Sequence, residues 1–285
     1  MKPQLLRVLV CPQCAGELIQ QDGSLVCRAC GQSVPLQGEA PVFTTPPVDL
    51  RPSEKLLRGP NIGTPWRQAN WRFLAEQVDK LDKAALILDV GAGRGDFADL
   101  FANHPNYLAL DVYPYPEVDI VCDLTQANPF RSGSLDAIVV MNVLEHIYDS
   151  RLILASLSKM LAPGGVLIVA VPFMVKIHQA PVDFSRYTHF ALQRLGEDHG
   201  LVVERLDGFY DPVSLLGEGI GNLKNAVLPG VRGAPHYAGR VIAWGLAGLA
   251  NSLRTVLGPG QTLPPSQARS LAPTGYHIVY RKMVG

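Results

Sequence analysis

Apolar runs and polar stretches alternate along the chain from Ala84 to its last residues. Near-continuous apolar strands are typical of sheets buried on both faces, and helical stretches lie between most of the runs. The pattern predicts an α/β fold with a doubly wound, seven-stranded, mostly parallel sheet. The predicted strands read ALILDVGA, YLALDVY, DIVCDL, LDAIVVMN, VLIVAVP, LVVERLDG and YHIVYRK.

The part of the chain before this pattern has a different character. Residues 1–44 contain four of the five cysteines and form a candidate small domain, and residues 45–62 are rich in proline and are predicted to be a linker. Residues 63–285 form the candidate main domain, which begins with a predicted helix, WRQANWRFLAEQVDKL. Residues 212–275 form a long insertion before the last strand and are predicted to be helical.

Composition limits the classes of protein to consider. The chain has 285 residues, of which 47% are hydrophobic, so it can bury the core of one large domain with a small appendage. The formal net charge is zero, which removes the overall attraction of a basic protein to nucleic acid. No apolar run approaches the roughly 20 residues that cross a bilayer, and the first residues lack the apolar core of a secretory signal. We therefore expect a cytoplasmic protein that does not cross a membrane.

The four amino-terminal cysteines are spaced as C-x2-C-x12-C-x2-C. Each C-x2-C pair places two thiolates on one tight turn, and two facing pairs supply the tetrahedral sulfur shell that zinc prefers. Two disulfides are the alternative, which a chain without an export signal makes less favourable. A closed four-thiolate site has no open position for water, so we expect a structural zinc ion. The predicted ligands are Cys11, Cys14, Cys27 and Cys30.

The cysteine-rich segment also resembles a known family. Its matching features are the leading LLRVLVCP, the second turn LVCRACG and the closing VPLQGEAPVF. These resemble the small zinc-ribbon family that includes the activator subunits of several methyltransferases. Members of that family bind partner proteins and are not catalytic, so the resemblance implies a docking or structural role for this segment.

The stretch LDVGAGRGDF, residues 88–97, is predicted to be a strand, a glycine turn and the start of a helix. It lacks the lysine and hydroxyl residue of a Walker loop, and Asp96 stands where a dinucleotide-binding loop has its third glycine. A carboxylate at the amino terminus of a helix repels a pyrophosphate. The loop therefore suits a ligand without phosphates.

The D-x-G-x-G-x-G pattern of this loop resembles that of class I S-adenosylmethionine-dependent methyltransferases, and the resemblance extends from about Leu86 to the end of the chain. It implies that Asp89 contacts the amino-acid part of the cofactor, Asp111 the ribose hydroxyls, Asp123 the adenine amino group and Asn142 the methionine side. It also implies that the last strand is antiparallel. A fold that has lost its cofactor is the alternative. The predicted cofactor-binding residues are Asp89, Gly91, Gly93, Gly95, Asp111, Asp123 and Asn142.

Two further stretches concern the methyl acceptor. VPFMVKIHQAPVDFSRYT contains H-x-x-P-x-D-x-x-R-Y-T, which resembles a methyltransferase subgroup in which this loop lies over the acceptor pocket and which acts on glycans or other hydroxyls. His178 is then a candidate base oriented by Asp183, and Arg186 and Tyr187 are candidate substrate-binding residues. The alternative is an Asp183–Arg186 ion pair that fixes the loop, with Tyr187 packed beneath it.

The earlier stretch NVLEH adds His146 as a candidate substrate-binding residue beside Glu145. It differs from the aromatic loops of enzymes that methylate amino groups of bases or glutamine. The alternative is a helix start with an acid near its positive end and a packed imidazole.

The insertion is basic, with five cations against Glu218. Residues 238–257 are predicted to form an amphipathic helix, which suits contact with the inner membrane surface and a lipid-linked acceptor. A helical lid packed on the sheet is the alternative.

The leading hypothesis is a methyltransferase that acts on an oxygen atom of a small molecule, glycan or lipid-linked intermediate. An RNA methyltransferase that holds its substrate with the ribbon and the insertion is less favoured, because the net charge is zero. A third hypothesis is a non-catalytic protein that binds the cofactor and recruits a partner through the ribbon.

Overall fold

The computed structural model describes residues 1–46, 56–227, 260–268 and 272–284, together with separate residues between 241 and 258. Half of the residues of the predicted amphipathic helix over 238–257 lie outside the described residues. Among the described helices, none is both long and apolar enough to span a bilayer.

The amino-terminal segment is a small antiparallel sheet that follows a short helix. Its four strands lie in sequence order, and the turns between them use the left-handed backbone of Gly23 (φ 76°) and Gly38 (φ 63°). Short strands with this little core depend on another source of stability. The elements are α1 (Pro3–Val8), β1 (Leu18–Gln21), β2 (Ser24–Cys27), β3 (Ser33–Gln37) and β4 (Ala40–Pro41).

The main domain is built on an eight-stranded sheet with the order β11-β10-β12-β9-β8-β5-β6-β7. All seven strands predicted from the apolar runs are present, and β5 to β9 are mutually parallel. The last strand, β12, pairs antiparallel with β9 and β10, which confirms that prediction. The strands are β5 (Ile87–Val90), β6 (Tyr107–Asp111), β7 (Ile120–Val121), β8 (Leu135–Met141), β9 (Leu161–Pro172), β10 (Leu201–Tyr210), β11 (Gln261–Leu263) and β12 (Gly275–Lys282).

Two features of the sheet differ from the sequence-based expectation. An eighth strand, β11, comes from the predicted helical insertion and extends the edge at β10. The helix expected directly after the glycine turn is only a 3-10 turn, Ala98–Phe101. Sixteen residues, 91–106, join β5 to β6, and they include Pro105, which has no N–H for a helical hydrogen bond.

Helices cover both faces of the sheet, and three of them begin with a side-chain cap. The side chains of Thr64, Asp149 and Thr188 accept hydrogen bonds from backbone N–H groups of the first turn. The predicted first helix and part of the predicted helical insertion are confirmed. The helices are α2 (Pro65–Val78), α3 (Ser150–Met160), α4 (His189–Glu197), α5 (Pro212–Val227) and α6 (Pro265–Ala268).

The amino-terminal segment packs against the main domain of its own chain. Val10 N–H donates to the carbonyl oxygen of Pro129 over 2.7 Å, and Phe43 N–H donates to that of Val121 over 2.8 Å. Val42 forms a parallel bridge with Val121, so the segment continues the sheet beyond β7. One hydrophobic core spans both parts and includes Leu5, Leu9, Leu25, Leu108, Ile120 and Phe130.

Candidate active site

The four predicted metal ligands come together in the ribbon. The Sγ atoms of Cys11 and Cys30 are 3.7 Å apart, and those of Cys14 and Cys27 are 3.5 Å apart. Four thiolates about 2.3 Å from a zinc ion stand roughly 3.8 Å from one another, so the cluster fits zinc. Backbone N–H groups of Cys30 and Ala29 that point at the sulfur lower the pKa of Cys27 to about 7, which favours the thiolate. All four positions of a tetrahedral ion are filled, which supports a structural role.

The glycine loop follows β5 at the carboxyl end of the sheet. Gly91, Gly93 and Gly95 have φ angles of 73°, 55° and 75°, a backbone region that other residues rarely adopt. A Cβ atom on Gly91 would lie 2.4 Å from Cγ2 of Val143, whereas one on Gly93 would meet nothing within 4 Å. The loop therefore packs tightly on one side and presents bare backbone to open space on the other.

Two predicted acids stand beside this loop. Asp111 holds it in place, because its Oδ2 accepts a hydrogen bond from Gly93 N–H over 2.8 Å. Asp89 is buried, and its Oδ2 accepts a hydrogen bond from the Tyr107 hydroxyl over 2.9 Å. Burial raises the pKa of Asp89 to about 7, with a further increase from Asp111. Burial also raises the pKa of Asp111.

The two remaining predicted cofactor residues lie at strand ends but already have protein partners. The carboxylate of Asp123 accepts hydrogen bonds from Thr125 and Gln126 within its own turn. The side-chain oxygen of Asn142 accepts hydrogen bonds from Trp66 Nε1 over 2.9 Å and from Asn70 Nδ2 over 3.4 Å. Asn142 therefore links helix α2 to the end of β8.

The segment before helix α2 also reaches the glycine loop, which the linker prediction for residues 45–62 did not include. Leu57 N–H donates to Oδ1 of Asp96, and Arg58 Nε–H donates to the carbonyl oxygen of Gly95, each over 3.0 Å. Because the segment has no apolar periodicity, its sequence gives no sign of this contact. Asp96, which distinguishes the loop from a dinucleotide-binding loop, is thus the residue that anchors the segment.

The two candidate acceptor stretches meet at the end of β8. Phe184 N–H donates to the carbonyl oxygen of Glu145 over 2.8 Å, and the Tyr187 hydroxyl donates to that of Leu144 over 3.1 Å. Val143, just before this turn, packs on Gly91. The loop with the H-x-x-P-x-D-x-x-R-Y-T pattern is therefore folded next to the glycine loop.

Within that loop, Asp183 and Arg186 form a two-pronged ion pair with N–O distances of 2.5 and 2.8 Å. The guanidinium lowers the pKa of Asp183 well below its ordinary range. Arg186 also donates to backbone carbonyl groups of the loop, and Tyr187 is buried. This geometry supports the alternative in which the Asp183–Arg186 ion pair fixes the loop and Tyr187 packs beneath it. Asp183 also lies 3.2 Å from Nδ1 of His178, as expected for an orienting partner.

A cluster of three side chains stands where the stretches meet, although the sequence did not predict that they would come together. Glu145 is fully buried, and its Oε1 lies 3.7 Å from Nε2 of His146 and 3.7 Å from Nε2 of His178. The Glu145 carboxylate and then Asp183 raise the pKa of His178. The adjacent Glu145 and His146 were the only local signal, because His178 lies more than thirty residues away along the chain.

With this geometry in place, family comparisons identify both parts of the chain. Residues 66–206 match the model of a methyltransferase domain, and residues 2–36 match that of Trm112p-like proteins. The chain thus contains a methyltransferase domain preceded by a Trm112p-like zinc ribbon.

Two curated relatives carry methyltransferase names. The chain is 31% identical over 96 residues to "Probable S-adenosylmethionine-dependent methyltransferase" of Mycolicibacterium smegmatis, covering 30% of this chain and 37% of the relative. It is 30% identical over 110 residues to methyltransferase str2 of Strobilurus tenacellus, covering 34% of this chain and 40% of the relative. The matches therefore span about two fifths of the length of these relatives.

Solved structures with similar architecture share little sequence with the chain. A S-adenosylmethionine-dependent methyltransferase of Archaeoglobus fulgidus has a TM-score of 0.46 at 14% identity, covering 76% of this chain and 94% of that one. A complex that contains the Haloferax volcanii Trm112 methyltransferase activator has a TM-score of 0.42 at 17% identity, covering 51% of this chain and 75% of that one.

Proposed function

We propose that this protein is a S-adenosylmethionine-dependent methyltransferase that methylates a hydroxyl oxygen of a small molecule, glycan or lipid-linked intermediate. The observation that carries the proposal is the position of the His178–Asp183 pair. It lies on a loop folded against the turn whose Val143 packs on the glycine loop. A proton acceptor thus stands next to the predicted cofactor site.

The residues of the glycine loop fit the predicted cofactor. We assign Asp111 to the ribose hydroxyls and Asp89 to the positively charged amino-acid part, as the resemblance to class I methyltransferases implies. When bound, S-adenosylmethionine supplies a sulfonium methyl group, so that an O–CH₃ bond forms as the S–CH₃ bond breaks and neutral S-adenosylhomocysteine leaves. Much of the protein's contribution is placement of the acceptor in line with that bond.

His178 is the residue that we assign to the acceptor proton. Nδ1 of His178 faces two acceptors, the carbonyl oxygen of Lys176, to which it hydrogen-bonds, and Oδ2 of Asp183 at 3.2 Å, so that Nδ1 carries the proton and the lone pair of Nε2 can take the hydroxyl proton. The raised pKa of His178 strengthens the imidazole as a proton acceptor. Glu145 and His146 line the same place and are candidates for contact with the acceptor.

Exposed apolar side chains favour an acceptor with a hydrophobic part. Tyr148, Ile177 and Phe190 are 84%, 77% and 70% exposed, and they belong to the acceptor loop or to the elements next to it. Phe184 packs edge-on against Tyr148 with ring centroids 5.6 Å apart. Exposed apolar side chains on and beside a candidate acceptor loop are typical of ligand or lipid contact. They support a lipid-linked acceptor and a peripheral position at a membrane surface.

The zinc ribbon is proposed to stabilise the edge of its own methyltransferase domain. The face of the ribbon that carries Leu5 and Leu9 is already covered by that domain. A second protein could bind the ribbon only on its opposite, outer face, where Cys14 and Cys30 are exposed. Recruitment of a partner through that outer face remains a separate proposal.

The test is transfer of labelled methyl from S-adenosylmethionine into separated lipid, glycan, RNA, protein and small-molecule extracts of the host. We expect label in the lipid, glycan or small-molecule fraction. The His178→Ala variant should lose at least about 100-fold in turnover with little change in cofactor affinity, the usual scale for a lost general base.

His189→Ala is the matched control, because His189 begins helix α4 outside the cluster and should leave turnover unchanged. Label in RNA alone would contradict the proposal. Full turnover of the His178→Ala variant would remove His178 as the base.

A further inference from the structure

The cluster of Glu145, His146 and His178 contains three potential ligand atoms that converge on one point. One potential ligand atom of each side chain lies within 4.8 Å of the other two, and Oε1 of Glu145 is 3.7 Å from Nε2 of each histidine. The two imidazole rings are perpendicular within 13°, with centroids 4.8 Å apart, so that they approach the carboxylate from different sides. Side chains from a turn and from a distant loop thus surround one small volume.

The hydrogen bonds of His146 determine which of its nitrogens carries a proton. Its Nδ1 lies 2.7 Å from the carbonyl oxygen of Val182, which can only accept a hydrogen bond. Nδ1 therefore carries the proton, and Nε2 of a neutral imidazole keeps its lone pair. This Nε2 atom is the ring nitrogen that lies 3.7 Å from Oε1 of Glu145.

The same reasoning applies to His178. Its Nδ1 lies 3.3 Å from the carbonyl oxygen of Lys176 and 3.2 Å from Oδ2 of Asp183, and both are acceptors. Nδ1 again carries the proton, and Nε2 of a neutral His178 ring keeps its lone pair. In metal sites, a ligating histidine almost always donates its other N–H to a carbonyl or carboxylate, which is the arrangement of both rings here.

Among the described residues, no lysine or arginine donates a hydrogen bond to the Glu145 carboxylate. Both carboxylate oxygens of Glu145 and Nε2 of His146 are buried without a hydrogen-bond partner. Glu145 is fully buried, and an unpaired buried carboxylate is costly. A cation at the centre would accept one lone pair from each residue and would remove this cost.

We propose that Glu145, His146 and His178 form a binding site for a divalent transition-metal ion. Two imidazoles and one carboxylate suit zinc, iron, cobalt or manganese, whereas magnesium prefers oxygen ligands alone. The two 3.7 Å separations exceed by a few tenths of an ångström the roughly 3.4 Å expected around a tetrahedral ion, so small rotations of the three side chains would complete the site.

Three protein ligands leave at least one coordination position open. The site lies under the acceptor loop, so an acceptor hydroxyl is a fitting occupant of that position, a consequence that rests on the proposed methyl transfer. If the ion were bound, Nε2 of His178 would be one of its ligands and not a free base; the ion would lower the pKa of an acceptor hydroxyl bound to it, and the released proton would pass to solvent water.

The experiment is titration with Co²⁺ of protein whose ribbon already holds zinc, in the absence of S-adenosylmethionine. We expect one bound Co²⁺ per chain with the visible absorption of nitrogen and oxygen ligation and without thiolate-to-cobalt bands. Glu145→Gln and His178→Ala should each weaken Co²⁺ binding by at least about tenfold, since even loss of a supporting hydrogen bond costs that much. His189→Ala is the control and should bind Co²⁺ as the parent does.

No Co²⁺ uptake beyond the ribbon would overturn the proposal, as would unchanged affinity in both cluster variants. Circular dichroism of Glu145→Gln checks its folding, and His178→Ala alters a partly exposed loop residue that is not needed for the core. Because Co²⁺ uptake is measured without cofactor or acceptor, its failure would leave the methyl-transfer proposal intact. Metal binding without methyl transfer would contradict only the proposed reaction.

Discussion

Asp89 is a buried carboxylate whose ionisation depends on its surroundings. It is 3% exposed at the end of β5, and its pKa is raised to about 7 mainly by burial. An ordinary aspartate in the unfolded chain has a pKa near 4, so the native state holds an extra proton between about pH 4 and pH 7. The contribution of Asp89 to stability is therefore present at low pH and is lost as pH rises through 7.

A positively charged ligand reverses this balance at Asp89, because it favours the ionised carboxylate. We predict that affinity for S-adenosylmethionine rises with pH up to about 7 and then levels off. Below that pH the affinity falls by up to about tenfold per unit, the limit for one coupled proton. Calorimetric titrations between roughly pH 5.5 and pH 8 measure this dependence.

The Asp89→Asn variant should bind more weakly at neutral pH and lose the pH dependence. Asp136→Asn is the control. This exposed carboxylate lies at the start of β8, at the amino-terminal end of the parallel strands, whereas the glycine loop lies at their carboxyl end. A pH dependence retained by the Asp89→Asn variant would contradict this assignment.

The contact of helix α1 with the sheet determines how the ribbon is attached. Leu5 is 1% exposed and belongs to the core that also contains Leu108 and Ile120. Leu6 is 38% exposed on the same helix. Because adjacent helical positions point in different directions, the helix presents one face to the sheet and another to water.

Leu5→Ala should therefore lower the free energy of unfolding of the methyltransferase domain by about 2–5 kcal/mol, the range for a large core residue that leaves a cavity. Leu6→Ala should change it by less than about 0.5 kcal/mol, as for an ordinary surface substitution. Urea unfolding followed by tryptophan fluorescence measures both. Equal effects of the two variants would show that the ribbon is not part of the shared core.

At the scale of the whole molecule, the zinc ribbon and the methyltransferase domain share one hydrophobic core. Metal binding contributes folding free energy to a small segment that has little core of its own. The three tryptophans, Trp66, Trp71 and Trp244, all lie outside residues 1–44. Their fluorescence therefore reports on the main domain and not directly on the ribbon.

Loss of one predicted zinc ligand should consequently lower the unfolding midpoint that is measured by tryptophan fluorescence. Cys30→Ser removes one exposed ligand of the four-cysteine cluster and avoids stripping any other metal with a chelator. We expect a decrease of several degrees, since about 1 kcal/mol corresponds to roughly 2–4 °C in a domain of this size. Cys122→Ala, outside the cluster, is the control for loss of a thiol. An unchanged midpoint in Cys30→Ser would mean that the two parts unfold independently.

Features that depend on neighbours along the chain were predictable from the amino-acid pattern alone. The apolar runs predicted seven strands, the cysteine spacing predicted the ribbon cluster, and the glycines of residues 91–95 predicted a tight turn after β5. Local signals suffice here because strand burial and turn geometry are set within a few residues. The three-residue strand β11 has no such run, and it exists because β10 offers an unpaired edge.

Contacts between residues far apart in the sequence became evident only from the three-dimensional packing. It placed His178 beside Glu145 and His146, attached the ribbon to its own domain, and brought the segment at residues 56–58 onto the glycine loop. It also gave Arg186 an intraloop partner in Asp183 and bonded Asp123 within its own turn. These contacts depend on how strands are ordered and loops are packed, and such long-range pairings leave no periodic trace in the sequence.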